Sequence, residues 1–404
     1  MKSNITRKPP YAFKLYTVSL KFLLILLPLL GISDFSYATD YYFSSSSGND
    51  NYSTAQAQNS STPWRSLEKL NSISNTLKAG DRVFFKRGDE FFGNLKISRG
   101  GSSGNPIIYS SYGTGAKPLI SSMEQVTSWK SVGNGIYEAG LSLQAAEKIQ
   151  VLSINGQLQE VGRYPNPDQA DKGFLTIAGV NGYLSIRGSN LPANFDGGEV
   201  VIRKNNWIID RHEITFSSGN TINFSANPSS SYVPQQGYGY FIQNHVNTLD
   251  KLGEWAYSKI SRKIYVYFGS QPPGNFDVKI ARGSHLIDVS RYIGNLSFSN
   301  LNFSGSNGNL INLENSNNIR VEDCDFNFAG QNAIYAHTTP DIQIRRNSIA
   351  YSLSGGIFFQ FGTPRALIEE NSINYTMPFQ GMSESSDLRG NAIYIAADAN
   401  NSSV

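Results

Sequence analysis

Several scarcities bound this 404-residue chain before any motif is read. It has a single cysteine, Cys324, so no internal disulfide can hold it together, and stability has to come from a packed core and backbone pairing. The one cysteine and four histidines offer no zinc spacing, and no phosphate loop, dinucleotide fingerprint or calcium-loop pattern is present. Charged residues are only 16% of the chain while 39% are hydrophobic, which excludes wholesale disorder. The helix formers Ala, Glu, Lys and Leu do not dominate; Asn, Ser and Gly abound, which favours β structure with many turns. The apolar run Phe22–Ile32 is too short for a comfortable membrane span.

That run instead reads as part of a targeting segment. Lys2, Arg7, Lys8, Lys14 and Lys21 precede it, and Ser36-Tyr37-Ala38 places small residues at −3 and −1 of a cleavage site, so residues 1–38 are expected to be a signal peptide. An uncleaved anchor is the alternative. Without this segment the formal charge of +3 falls to near balance, with acidic residues one in excess, so nucleic acid is not an expected partner. The expected location is secreted, periplasmic or on the cell surface, with no membrane association after cleavage.

The downstream sequence repeats. LSFSNLNF, IRVEDCDF, IQIRRNSI and ALIEENSI superpose, and Phe298, Val321, Ile344 and Ile368 recur every 23 or 24 residues. A second strand in each unit contributes Ile311, Ile334, Ile357 and Ile393, with Ser383 to Gly390 as the polar loop lengthening the last interval. Short alternating strands at this period predict an all-β, parallel β-helix, each coil adding one rung to every sheet. Leu301, Cys324, Asn347 and Asn371 form an inward column in which stacked Asn side chains bond along the axis and Cys324 is a small buried member. Outward columns Ser299/Glu322/Arg345/Glu369 and Asn300/Asp323/Arg346/Glu370 alternate in sign, as ion-pair ladders do.

Upstream, DYYFSSSSGND, PWRSLEKLN, LKAGDRVFFKRGDEFFGNLKI and SGNPIIYSSYGTGAKPLIS resemble the opening of secreted right-handed parallel β-helix proteins, the superfamily that includes pectate-lyase-like and alginate-lyase-like enzymes. The resemblance covers Asp40 to about Ser122, and Gly283 to Asp398 as generic coils. It divides the chain into a cap and first coils over 39–124, a β-rich insert over 125–282, and further coils over 283–404. The insert is expected to be antiparallel, with hairpin turns at Ile154-Asn155-Gly156 and Ser218-Gly219-Asn220-Thr221, and is similar to one carried by a subset of these proteins. The sequence stops at NAIYIAADANNSSV within a coil, so a C-terminal cap is expected to be missing.

The resemblance implies a carbohydrate-active protein, a polysaccharide lyase on uronic-acid polymers ahead of a glycoside hydrolase. Calcium enters by resemblance only, and no cofactor is identified from the residues. From a different class, a non-catalytic glycan-binding or adhesin-type surface protein is the alternative. Either would be a monomer whose partner is a polysaccharide. Tyr335, Phe358 and Tyr394 share an outward column suited to pyranose rings; the insert or the Ser383–Gly390 loop packing over them is the competing reading. His337 in the neighbouring column is a candidate acid or base, flanked by Glu314 and Gln360, or a surface histidine with no role. Arg345 is a candidate base for elimination, or a rung of a charge ladder. Arg163 and Tyr164 would grip a uronate carboxylate, or form a Pro-fixed loop.

Overall fold

A computed structural model describes residues 38–142, 148–226, 232–290, 292–383 and 390–404. The expected signal segment, apart from Ala38, and most of the Ser383–Gly390 loop lie outside the described residues. Among the described residues no helix is long and apolar enough to cross a membrane.

Three parallel sheets run along one axis. The first takes Arg82–Lys86, Ile107–Tyr112, Leu296–Ser299, Ile319–Glu322, Gln343–Arg345 and Leu367–Glu369, with Asp40–Phe43 at its edge. Its register pairs Phe298 with Val321, Val321 with Ile344 and Ile344 with Ile368, the repeat expected from the sequence. The second includes Asn302–Ser306, Asp325–Ala329, Ser348–Ser352 and Ser372–Thr376. The third includes Ile287–Val289, Ile311–Glu314, Asn332–His337, Gly355–Phe361 and Ile393–Ile395, and pairs Ile311, Ile334, Ile357 and Ile393 in turn. Inward side chains make one continuous core in which Phe303 stacks on Phe326 and Tyr109 on Phe298.

The abundance of Asn has a backbone cause. Each coil must turn sharply between sheets, and left-handed corners recur at the period: Asn295, Asn318, Asp341 and Arg365 before the first sheet, Asn300, Asp323, Arg346 and Glu370 after it. Asn and Asp tolerate positive φ better than other side chains, because their short polar groups bond locally. The Asn column forms as expected. Asn347 Nδ2 donates to Asn371 Oδ1 at 2.9 Å and to the Val321 carbonyl at 2.9 Å, while the Cys324 N–H donates to Asn347 Oδ1 at 2.9 Å. Near the first coils, the helix Leu67–Ile73 is started by Ser66, whose hydroxyl accepts the Lys69 N–H, and buries Leu67 and Leu70 in the coil core.

The insert leaves the second sheet after Leu119–Ser121 and rejoins the coils at Ile287–Val289 of the third. Between them the sheets are antiparallel. One four-stranded sheet holds the hairpin Leu152–Ile154 to Gln157–Leu158, closed by Asn155 and Gly156, both at positive φ as a type I′ turn requires. A second four-stranded sheet contains Trp255–Ser258 and Lys263–Tyr267, and an eight-stranded sheet contains Glu199–Arg203, Ile209–Ser218 and Gly239–Gln243. The insert is tied to the coils: Gln150 N–H donates to Asn307 Oδ1 at 2.8 Å, and Arg211 Nη1 donates to the Met382 carbonyl at 2.9 Å. Met382 and Leu353 are buried in the insert's own core.

Candidate functional site

The outer face of the third sheet gathers most of the residues marked by the sequence. Asp288, Asn312, Tyr335, Phe358 and Tyr394 pair rung to rung in one outward column, about 19 Å long at 4.8 Å per rung. Its lower end is polar, with Asn312 Nδ2 donating to Asp288 Oδ1 at 2.9 Å. Its upper end is aromatic: Tyr335 stacks on Phe358 with centroids 6.0 Å apart, and Phe358 on Tyr394 at 4.7 Å. Phe358 is only 5% exposed although it points outward, so it serves as the filling between two rings, whereas Tyr335 and Tyr394 are half-buried and present edges to solvent.

His337 stands beside this column. It pairs with Glu314 on the rung below, and Thr338 Oγ1 lies 3.4 Å from its Nδ1. On the rung above, a register shift between Ala336 and His337 brings Phe361 opposite the histidine, ring centroids 6.3 Å apart. Gln360, expected there, is displaced by this bulge and its side chain instead accepts the Tyr335 hydroxyl. Gln360 therefore orients the aromatic column rather than the histidine.

The remaining marked residues lie elsewhere. Arg345 is on the first sheet, within salt-bridge range of Glu322 and Glu369 on the rungs either side, so it shares no site with His337. Arg346 in the next column makes a bidentate pair with Asp323, 2.9 Å for each bond, and that guanidinium holds the Asp323 carboxyl below its ordinary range. These carboxylates are interleaved with guanidinium groups and do not fit calcium, which asks for an uninterrupted oxygen shell. Among the described residues, no three of His, Cys, Asp and Glu group in a way that could hold a metal.

Of the two readings for Arg163, substrate contact or a Pro-fixed loop, its burial favours the loop: it is 2% exposed. Its guanidinium donates to the carbonyls of Pro165 and Gly173 at 3.0 and 2.8 Å and lies 3.6 Å from the centre of the Phe241 ring. Burial lowers its pKa to about 10. A group so desolvated, with Nε and Nη2 both engaged by backbone carbonyls, locks the insert's loop and is out of reach of a uronate. Tyr164 stacks on Phe195 at 5.8 Å as part of the same packing.

A second aromatic column was not anticipated. Phe328, Tyr351 and Tyr375 follow one another on the second sheet, and Tyr351 stacks on Tyr375 at 4.7 Å with planes 4° apart. All three sit at positive φ, in step with Gly305, and this bulge turns two consecutive side chains outward on each rung. Phe328 and Tyr351 pack against the insert, while Tyr375 is 62% exposed. The signal was present in the sequence as the same 23- and 24-residue spacing.

The family profile of the right-handed β-helix region matches residues 281–403. Over 93 residues the chain is 38% identical to a lacto-N-biosidase of Bifidobacterium longum subsp. longum, which covers 22% of this chain and 6% of that protein, so the chain spans a small fraction of that relative's length. Among solved structures, one described as a glycoside hydrolase superposes with a TM-score of 0.56 over 91% of this chain and 95% of its own, at 13% identity. An alginate lyase from a Paenibacillus species aligns over 83% of this chain and 62% of its own, with a TM-score of 0.36 and 9% identity. At 13% identity the likeness to the glycoside hydrolase speaks to the fold alone.

Proposed function

We propose that this member of the right-handed parallel β-helix superfamily engages a carbohydrate polymer along the outer face of its third sheet. The observation that carries the reading is the Tyr335–Phe358–Tyr394 stack, continued by the polar pair Asp288 and Asn312. Aromatic edges and faces meet the C–H surfaces of a sugar ring, and flanking carboxylate and amide groups take its hydroxyls. The partial sequence likeness to a lacto-N-biosidase supports a glycan as the ligand class. Export belongs to the same reading, since it would bring the protein to extracellular polymers; N-terminal sequencing of the product from a secreting host tests processing after Ala38.

β-Elimination on a uronic-acid polymer is the second reading, favoured by the Glu314–His337 pairing, which would orient a base. That reaction also needs the substrate carboxylate neutralised. Among the described outward positions of the third sheet the lysine and arginine complement is Lys96, three rungs or about 14 Å from Tyr335. The face therefore suits neutral or weakly charged glycans better than a polyuronate.

A glycan array followed by product analysis tests both readings. Binding or cleavage of a glycan polymer, weakened in Tyr394→Ala, supports the first. Ultraviolet absorbance from an unsaturated uronate product, lost in His337→Ala, would support the second. Running each assay with and without calcium and a chelator decides metal dependence. No binding to any glycan would overturn the proposal.

A further inference from the structure

A separate cavity of about 200 Å³ opens in the insert, where the eight-stranded sheet meets the four-stranded sheet of Trp255–Ser258 and Lys263–Tyr267. Asp196, Glu199, Glu213, His245, Lys259 and Tyr265 supply its chemistry. Glu199 and Glu213 are direct cross-strand partners. Like charges opposite one another destabilise a sheet, and here each needs its own compensation. Lys259 approaches Glu213 at 3.2 Å, while Gln243 donates to Glu199 at 2.8 Å and Arg211 lies 3.8 Å from it. Glu213 and Lys259 are each about half-exposed, so both remain within reach of a ligand.

The other groups are also set for recognition. Asp196 accepts the Ser217 N–H at 2.6 Å and the Ser217 hydroxyl at 2.8 Å, which fixes its carboxylate in place; against the opposing effect of burial, hydrogen bonding with Asn194 and Ser217 holds it below its ordinary pKa. Asn247 N–H donates to His245 Nδ1 at 3.1 Å, which puts the proton of the neutral ring on Nε2. Burial lowers the His245 pKa against the opposing charge of Asp196. Tyr265 is half-buried at the wall. Carboxylate acceptors, a neutral N–H donor and a ring face form a set that matches a polyhydroxyl ring. Three carboxylates against Lys259 and Arg211 leave the site acidic, so a ligand carboxylate meets repulsion. The volume is below the roughly 300–1,000 Å³ of a site for a drug-sized molecule, so it takes one small unit.

We propose that this cavity is a second carbohydrate site that holds a single neutral pyranose unit and discriminates against uronates. It is built from residues of the insert alone and stands independently of the reading for the third sheet.

Saturation-transfer NMR on the full chain tests it, using the methyl glycosides of galactose, glucose, mannose and N-acetylglucosamine as neutral probes and methyl glucuronide as the charged one. The expected result is transfer to at least one neutral glycoside, with binding about five-fold weaker or worse in both Tyr265→Ala and Glu213→Gln. Tyr394→Ala should leave this signal unchanged, which separates the cavity from the third-sheet face. Glu213→Gln also removes the like-charge pair, so it should bind less while melting no lower than the parent, and this arm holds even if Tyr265→Ala misfolds. Equal binding of the glucuronide, no transfer to any neutral glycoside, or insensitivity to Glu213→Gln overturns the proposal.

Discussion

Phe358 and Tyr394 lie one rung apart on the third sheet with ring centroids 4.7 Å apart and planes 18° from parallel, and the buried ring carries the half-buried one. The two positions should therefore separate stability from binding. Phe358→Ala removes a nearly buried ring and should cost about 3–5 kcal/mol, read as a lower midpoint in chemical unfolding. Tyr394→Ala should cost little stability but weaken glycan binding by about 3–10-fold, the worth of one aromatic contact. Titration of the glycan identified on the array, alongside thermal melts of both variants, checks the split. Equal stability losses with unchanged binding would remove the column from function.

His337 and Glu314 form the only His–carboxylate pairing between neighbouring rungs of the third sheet among the described residues. If His337 transfers a proton during turnover, His337→Gln should lower kcat by about 100-fold or more with little change in KM. Glu314→Gln should lower kcat by a smaller factor, since it changes only the neighbour paired with His337 on the rung below. Unchanged turnover in both variants would leave the face a binding surface only.

The coil stack was legible in the sequence because a parallel β-helix repeats its geometry on every rung. Phe298, Val321, Ile344 and Ile368 could be aligned by counting alone, and the alternating ladders through Glu322, Arg345 and Glu369 followed from the same count. Counting fails where the backbone changes register without changing the number of strands. The bulge opposite His337 is such a place, and it exchanged Gln360 for Phe361. The left-handed residue in each second-sheet strand is another: alternation would turn Phe328, Tyr351 and Tyr375 inward, but positive φ turns them out. The insert has no repeat at all. The pairing of Glu199 with Glu213, and the burial of Arg163 under three carbonyls and an aromatic ring, depend on antiparallel registers that local patterns do not specify.

The Asn column makes a prediction about Cys324, whose thiol is fully buried and whose pKa burial pushes up to about 12. A thiol that is neutral and out of reach should not react with a disulfide reagent in the native protein. Titration should give no release without denaturant and one equivalent with it. Asn347→Ala removes the acceptor for the Cys324 N–H and should cost about 1–3 kcal/mol by leaving that buried group unpaired. In this variant, Cys324 should become reactive at a lower denaturant concentration. Reaction in the folded parent would contradict the column as described.

Glu254 provides a test of the insert by pH. Its side chain is 7% exposed, and burial raises its pKa to about 7 even though it accepts the N–H groups of Asp250 and Lys251 at 2.9 and 3.0 Å. The folded pKa is above the unfolded value, so the native state binds the proton more tightly. The contribution to stability is then present in full below about pH 4 and is lost as pH rises towards 7, by a few kcal/mol over the whole window. Glu254→Gln keeps an oxygen acceptor for the two N–H groups without the charge. It should melt close to the parent at pH 5 and several degrees above it at pH 8. An equal difference at both values would mean that Glu254 is solvated in the folded protein and that its raised pKa is not a property of the native insert.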